Sequence, residues 1–157
     1  MVMELCDVLL YEPNSNDKVG SIISMFTFGK YCHAAIYIGD SIVEAMPPAI
    51  RKTKDLRIFD LFRYQELSYQ EKIIMINFLK SKIGTPYATQ DFPATFIRQF
   101  FNRNDKPIFN SENQYYCSEL IAAAFSLVGI EICNSIHWQN VTPNDLGYRS
   151  KLKKVLS

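Results

Sequence analysis

Two runs of β-forming residues, His33-Ala-Ala-Ile-Tyr-Ile38 and Ser41-Ile-Val-Glu-Ala45, are separated only by Gly39-Asp40. A two-residue loop is the tightest common hairpin connection, and glycine supplies the backbone freedom it needs. Such a turn also fixes the register. Ile38 pairs with Ser41, Ala35 with Glu44, and His33 with Met46. Side chains alternate between the faces of a strand, so His33, Ala35 and Tyr37 share a face with Ile42, Glu44 and Met46. His33 and Glu44 then become diagonal neighbours within reach of each other. A slip of one residue would separate them.

A second constraint lies in Tyr115-Tyr116-Cys117-Ser118-Glu119-Leu120-Ile121. Residues 117, 120, 121, 124 and 128 are Cys, Leu, Ile, Ala and Val, a helical spacing that predicts one apolar face. Gly129 stands where a left-handed cap ends such a helix. Cys117 therefore belongs to the first turn of a buried helix. Unpaired N–H groups and the positive end of the helix dipole favour a thiolate there, and the same donors suit an oxyanion.

The remaining chain reads as a mixture of strands and helices. Asp7-Val-Leu-Leu-Tyr11 predicts a strand ended by the turn residues Pro13 to Asn16. Val19, Ile22, Ile23 and Phe26 give residues 17 to 26 a helical spacing. Pro47-Pro48 closes the second hairpin strand, with short strands expected at 49 to 53 and from Leu56 to Phe62. Ser68 and Glu71 form a capping-box pattern that opens a helix ended by Gly84. Thr85-Pro86-Tyr87 reads as a turn. Phe92 to Phe101 reads as a helix whose Phe92, Phe96, Phe100 and Phe101 suit core or a pocket wall, and 102 to 113 as an exposed loop. Residues 130 to 141 look irregular. Thr142 and Pro143 mark a helix start, and the basic tail from Lys151 reads as a terminal strand or loose end. One α+β domain over residues 1–157 is the simplest account.

Composition narrows the functional classes. A formal net charge of +1 over 157 residues leaves no electrostatic footprint for nucleic acid. No apolar run reaches membrane-spanning length. The N-terminus lacks a signal-peptide apolar region, so the expectation is a cytoplasmic protein unless an export segment has been removed. The four cysteines, Cys6, Cys32, Cys117 and Cys133, show no CxxC spacing. That argues against zinc, and free thiols with one reactive member are expected. No cofactor or metal is called for.

A cysteine nucleophile needs an imidazole to exchange its proton and a polar group to orient that imidazole. Cys117, His33 and Glu44 are the candidates. Each has a plainer reading. Cys117 also suits a small apolar residue in a core, His33 a strand-start residue satisfied by backbone, and Glu44 the solvent face of a hairpin. His137, beside Trp138 in an irregular segment, is the rival base. Tyr115 and Tyr116 suit core packing ahead of the helix or the wall of a site. Cys32 points to the sheet face opposite His33.

In order, several segments resemble the circularly permuted papain-like hydrolases of the NlpC/P60 superfamily. The likeness is to the bacterial permuted amidase group related to poxvirus and lecithin:retinol acyltransferase-like proteins. They are Asp7-Val-Leu-Leu-Tyr11, His33-Ala-Ala-Ile-Tyr-Ile-Gly39, Ile42-Val-Glu-Ala45, Gly84-Thr-Pro-Tyr87, Tyr116-Cys-Ser-Glu-Leu120 and Thr142-Pro-Asn-Asp-Leu146. The resemblance implies a permuted papain-like fold, with an antiparallel sheet packed on the cysteine helix. It also implies Cys117 as nucleophile, His33 as base and Glu44 as orienting acid. Tyr116 and Tyr87 are the expected substrate contacts. The activity implied is cysteine-dependent hydrolysis of an amide: a peptide, a peptidoglycan peptide or an amino-acid amide. A lipid-directed acyltransferase or thioesterase and a catalytically silent binding domain are the alternatives. The chain departs from the pattern where Cys6 replaces the opening glycine, which affects a turn. It departs again where Ala88 follows Tyr87 in place of an acid, with Asp91 coming only later.

Overall fold

The computed structural model describes residues 2–16, 29–88 and 114–155. The helices expected over 17–26 and 92–101, the loop over 102–113 and Asp91 lie outside the described residues. The described chain is α+β: one six-stranded antiparallel sheet with three α-helices and a short 3-10 turn.

In chain order the strands are β1 (Val8–Tyr11), β2 (His33–Tyr37), β3 (Ile42–Met46), β4 (Ala49–Thr53), β5 (Asp60–Arg63) and β6 (Lys153–Lys154). Across the sheet they run β4-β3-β2-β1-β5-β6. The β2–β3 hairpin has the register that Gly39-Asp40 imposes, with Ile36 opposite Val43 and Tyr37 opposite Ile42. Gly39 sits at φ 108°, and the Ile38 N–H closes the turn on the Ser41 carbonyl at 2.9 Å. Pro47-Pro48 does more than end a strand. It is the turn of a second hairpin, with Met46 opposite Ala49 and Glu44 opposite Arg51.

Three helices pack on this frame. α1 (Tyr69–Lys82) starts at Ser68, whose hydroxyl accepts the Glu71 N–H while the Glu71 carboxylate accepts the Ser68 N–H. A cap of this kind contributes about 1 kcal/mol. α2 (Cys117–Leu127) follows Tyr116, whose N–H bonds the Glu119 carboxylate at 3.1 Å. α3 (Pro143–Tyr148) has a reciprocal Thr142–Asp145 cap, and the Asn144 amide pairs with both backbone groups of Tyr31 at 2.8 and 2.9 Å. That pairing ties α3 to the segment leading into β2.

The main core lies between one sheet face and the helices. Val8, Leu10, Ala34, Ile36, Val43 and Ala45 meet Leu120, Ile121 and Phe125 of α2 and Met75 and Leu79 of α1. Leu9, Tyr11, Ala35, Ile42 and Leu61 form a smaller cluster on the other face. α2 is not one-sided as its pattern suggested: every residue from Cys117 to Phe125 is buried. Its polar members are satisfied inside the protein, Ser118 by donating to the Val141 carbonyl at 2.6 Å and Glu119 by its cap.

Two further expectations change, while Cys6 lies in a turn as expected. β5 begins at Asp60, not Leu56, because Leu56 and Ile58 project into solvent, 46% and 99% exposed. Pro86 and Tyr87 are extended, bridging Ala49 and Tyr115, so this segment edges the sheet in place of turning. Cys6 takes φ 69°, the left-handed geometry that a turn glycine would adopt freely.

Candidate active site

The β2–β3 ladder is short, and its opening creates the site. Paired residues extend from Tyr37–Ile42 to Ile36–Val43. Beyond them the Ala34 N–H hydrogen-bonds the Cys117 sulfur, joined there by the Ser118 N–H from the first turn of α2. The start of α2 thus meets the start of β2, and His33 is the first residue of that strand.

His33 Nε2 lies 2.6 Å from Glu44 Oε2. With that nitrogen on the carboxylate, Nδ1 remains for the Cys117 thiol, and the imidazole and sulfur are hydrogen-bonded. Glu44 is a buried acid, its side chain 0% exposed. Both of its oxygens are occupied. Oε1 accepts Arg51 Nε at 2.9 Å and Nη2 at 2.7 Å, and Oε2 accepts Arg57 Nη2 at 2.5 Å besides the imidazole. The Arg57 guanidinium also lies over the Tyr11 ring, 4.4 Å from its centroid, and that ring is 5.6 Å from the imidazole.

This geometry reverses the usual effect of burial. Burial alone disfavours imidazolium, but the Cys117 sulfur and the Glu44 carboxylate outweigh it, and the His33 pKa is pushed up to about 9. Burial would likewise raise the Cys117 thiol. The His33 charge and hydrogen bond, with the Ala34 and Ser118 N–H groups, bring it below its ordinary value. For Glu44, burial is overcome by His33, Arg51 and Arg57, and the carboxyl is held at about 2. The shifts thus run in the direction that favours thiolate, imidazolium and carboxylate, the charge pattern that cysteine nucleophiles use.

The residues singled out from sequence fall into two groups. Cys117, His33 and Glu44 converge. Tyr87 and Tyr116 stand beside them with rings edge to face at 5.7 Å, and burial together with Cys117 raises the Tyr87 phenol above its ordinary range. His137 does not join the array. Its Nδ1 accepts the Gln139 N–H at 3.3 Å and its ring packs on Trp138, which stacks on Tyr115. It lines a separate cavity of about 290 Å³ with Cys133, Glu131 and Ile136. All four cysteines are buried thiols outside any disulfide.

Arg51, Arg57 and Tyr11 were missed. Arg51 was legible in principle: treating Pro47-Pro48 as a two-residue turn puts it opposite Glu44. Arg57 sits in a loop and has no periodic signal. Among the described residues no group of three or more His, Cys, Asp or Glu side chains is placed to hold a metal ion, and no helix is long and apolar enough to cross a membrane.

No family model and no curated protein matches the chain. A solved structure does: the metalloprotein YiiX from Escherichia coli O157:H7, described as DUF1105, superposes with a TM-score of 0.65 at 16% identity. The match covers 98% of this chain and 96% of that one. At this identity the likeness is one of fold.

Proposed function

We propose that this chain is a cysteine hydrolase of permuted papain-like type that cleaves an amide bond through an acyl-enzyme. One observation carries the reading: Cys117, His33 and Glu44, drawn from a helix start and two neighbouring strands, form a hydrogen-bonded chain whose charges favour the thiolate.

In this mechanism the Cys117 thiolate attacks the carbonyl carbon and forms a carbon–sulfur bond. The Cys117 N–H in the first turn of α2 faces the developing oxyanion, with Tyr87 and Tyr116 contacting the substrate. As the tetrahedral adduct collapses, His33 gives its proton to the leaving nitrogen and the carbon–nitrogen bond breaks. Water then attacks the thioester while neutral His33 takes its proton. The acid departs, and the thiolate–imidazolium pair is restored. Glu44 holds the ring orientation throughout. Suitable substrates are a peptide, a peptidoglycan peptide or an amino-acid amide.

A lipid-directed acyltransferase or thioesterase shares the same acyl-enzyme. Bare Leu56 and Ile58 on either side of Arg57 favour an apolar acyl donor approaching from that side. Incubation with p-nitrophenyl acetate followed by peptide mass mapping tests the common step. The expected result is one acetyl group on Cys117, absent in Cys117→Ala and strongly reduced in His33→Ala. Equal acetylation of all four cysteines, or none, would rule out the hydrolase and support a silent binding domain. Turnover of amides against esters and thioesters then separates the two enzymatic readings.

A further inference from the structure

Glu44 accepts four hydrogen bonds, and only one comes from His33. The other three come from guanidinium groups, which stay charged at every pH the protein meets. An orienting acid needs one partner to align an imidazole. Here it is also held by two permanent cations, on a side chain that is 0% exposed.

The geometry points to Arg51 and Arg57 as positioning residues that set the pH range of the site, by dividing the charge of Glu44 between His33 and themselves. This rests on the hydrolase reading above.

The physical argument concerns how tightly His33 keeps its proton. An undivided carboxylate against a buried imidazolium would hold that proton strongly and make His33 a reluctant acid toward a leaving group. Arg57 bonds the same oxygen as His33, so its charge directly opposes that of the imidazolium. Arg51 bonds the other oxygen through two donors and fixes the carboxylate plane. The sequence supplies each by a separate route. Arg51 is the cross-strand partner of Glu44 on β4, and Arg57 reaches in from the β4–β5 loop.

Among the described residues the other charged or titratable groups facing this cluster are few. Tyr11 of β1 lies under Arg57, and its phenol is raised to about 12, chiefly by burial. Asp55 of the loop acts on Tyr11 from a distance. Cys117 of α2 is the partner anion, and Tyr87 and Glu119 stand on its far side. None of these described groups supplies a cation to replace a lost arginine.

Removing a nearby positive charge makes every neighbouring group hold its proton more tightly. Arg57→Gln should therefore move both steps of the Cys117–His33 pair to higher pH, by about one unit each. Glu44 keeps Arg51 and His33 and remains ionised at neutral pH. Arg57→Lys keeps the charge and should leave both steps near their wild-type positions. Arg51→Gln should give a smaller upward shift, because Arg51 acts on the oxygen away from His33.

The test is the rate of iodoacetamide alkylation of Cys117 against pH in the full chain, with peptide mapping, for wild type, Arg57→Gln, Arg57→Lys and Arg51→Gln. His33 ring resonances read the upper step independently. The expected pattern is an upward shift in Arg57→Gln, with labelling below the lower step slowed about tenfold, and rescue by Arg57→Lys. A merely structural role would lower stability in all variants without moving either step. Unmoved or downward steps overturn the inference while leaving the hydrolase reading intact. A wild-type Cys117 that labels no faster than Cys6 overturns the hydrolase reading itself. If Arg57→Gln does not fold, Arg51→Gln against wild type decides the sign of the shift.

Discussion

Cys6 and Cys117 are both buried thiols, 2% and 7% exposed, yet the protein treats them in opposite ways. Burial pushes Cys6 up to about 12, with Lys72 opposing and Asp7 adding to the shift, and its sulfur sits 3.7 Å from the Lys72 carbonyl oxygen. Burial pushes Cys117 up as well, but His33 and two backbone N–H groups pull it below its ordinary value. The difference lies in what each sulfur faces. Cys6 faces a backbone acceptor. Cys117 faces donors and a cation that already has a counter-ion of its own. Depth of burial therefore says little about a cysteine's reactivity; the groups within hydrogen-bond reach decide it.

The comparison can be broken most sharply by labelling both thiols in one sample. At pH 7 Cys117 should alkylate at least about a thousandfold faster than Cys6, whose ionised fraction is vanishingly small. Similar rates would erase the distinction. The next largest effect is expected from His33→Ala. Without the imidazolium, Cys117 is left with burial and two N–H groups, and its labelling at pH 6 should fall roughly a hundredfold while Cys6 is untouched. Glu44→Gln should be milder, about tenfold, because an amide still orients the ring but no longer favours its charge. An effect of Glu44→Gln as large as that of His33→Ala would make the acid more than an orienting group.

The smallest effect expected is on stability against pH, and its sign follows from the shifts. His33 is raised, so its contribution is complete below about 6.5 and is lost as the pH rises through about 9. Cys117 is lowered, so its contribution is present above its ordinary 9.0 and is lost as the pH falls through its folded value. As a thiolate–imidazolium pair the two side chains hold one proton, the number the unfolded chain holds between about 6.5 and 9, so the two trends offset each other. Thermal melts should show a plateau there that this pair carries on above 9, where neither state holds a proton on either group, with the decline confined to the acid side and on the order of 1–3 kcal/mol. Glu44, held at about 2, adds a further loss as the pH falls from 4.5 toward 2. A melting temperature that falls as the pH rises above about 9 would mean the pair is neutral in the folded protein, because the thiol would then keep a proton that the unfolded chain has lost.

Much of this arrangement was legible because it rests on local rules. The Gly39-Asp40 turn dictates the β2–β3 register and thereby the His33–Glu44 contact. Gly129 takes the left-handed conformation expected after α2, at φ 79°, and Thr142 caps α3 as its sequence suggests. What escaped depends on contacts between distant segments. The buried polar face of α2 is tolerated because Val141 accepts the Ser118 hydroxyl, a partner no periodicity reveals. The apolar stretch at Leu56 and Ile58 has the composition of a strand but leaves both side chains in solvent, so β5 starts later. Arg57 reaches Glu44 across thirteen residues of chain through a loop.

Both margins of the sheet are short of exposed, unguarded backbone. On β4, Ile50 is covered by backbone bonds to Thr85 and Gly84, and the strand then exposes Arg51 and Lys52. On the opposite margin, β6 consists only of Lys153 and Lys154. Clustered positive charge on an unpaired edge repels the same edge of another copy and denies it a template for strand addition. Arg51 thus serves two purposes from one position: its stem lies on a protective margin while its guanidinium holds the acid. Exchanging it for an apolar residue would invite self-association of the sheet, visible as turbidity or fibres, alongside any change in chemistry.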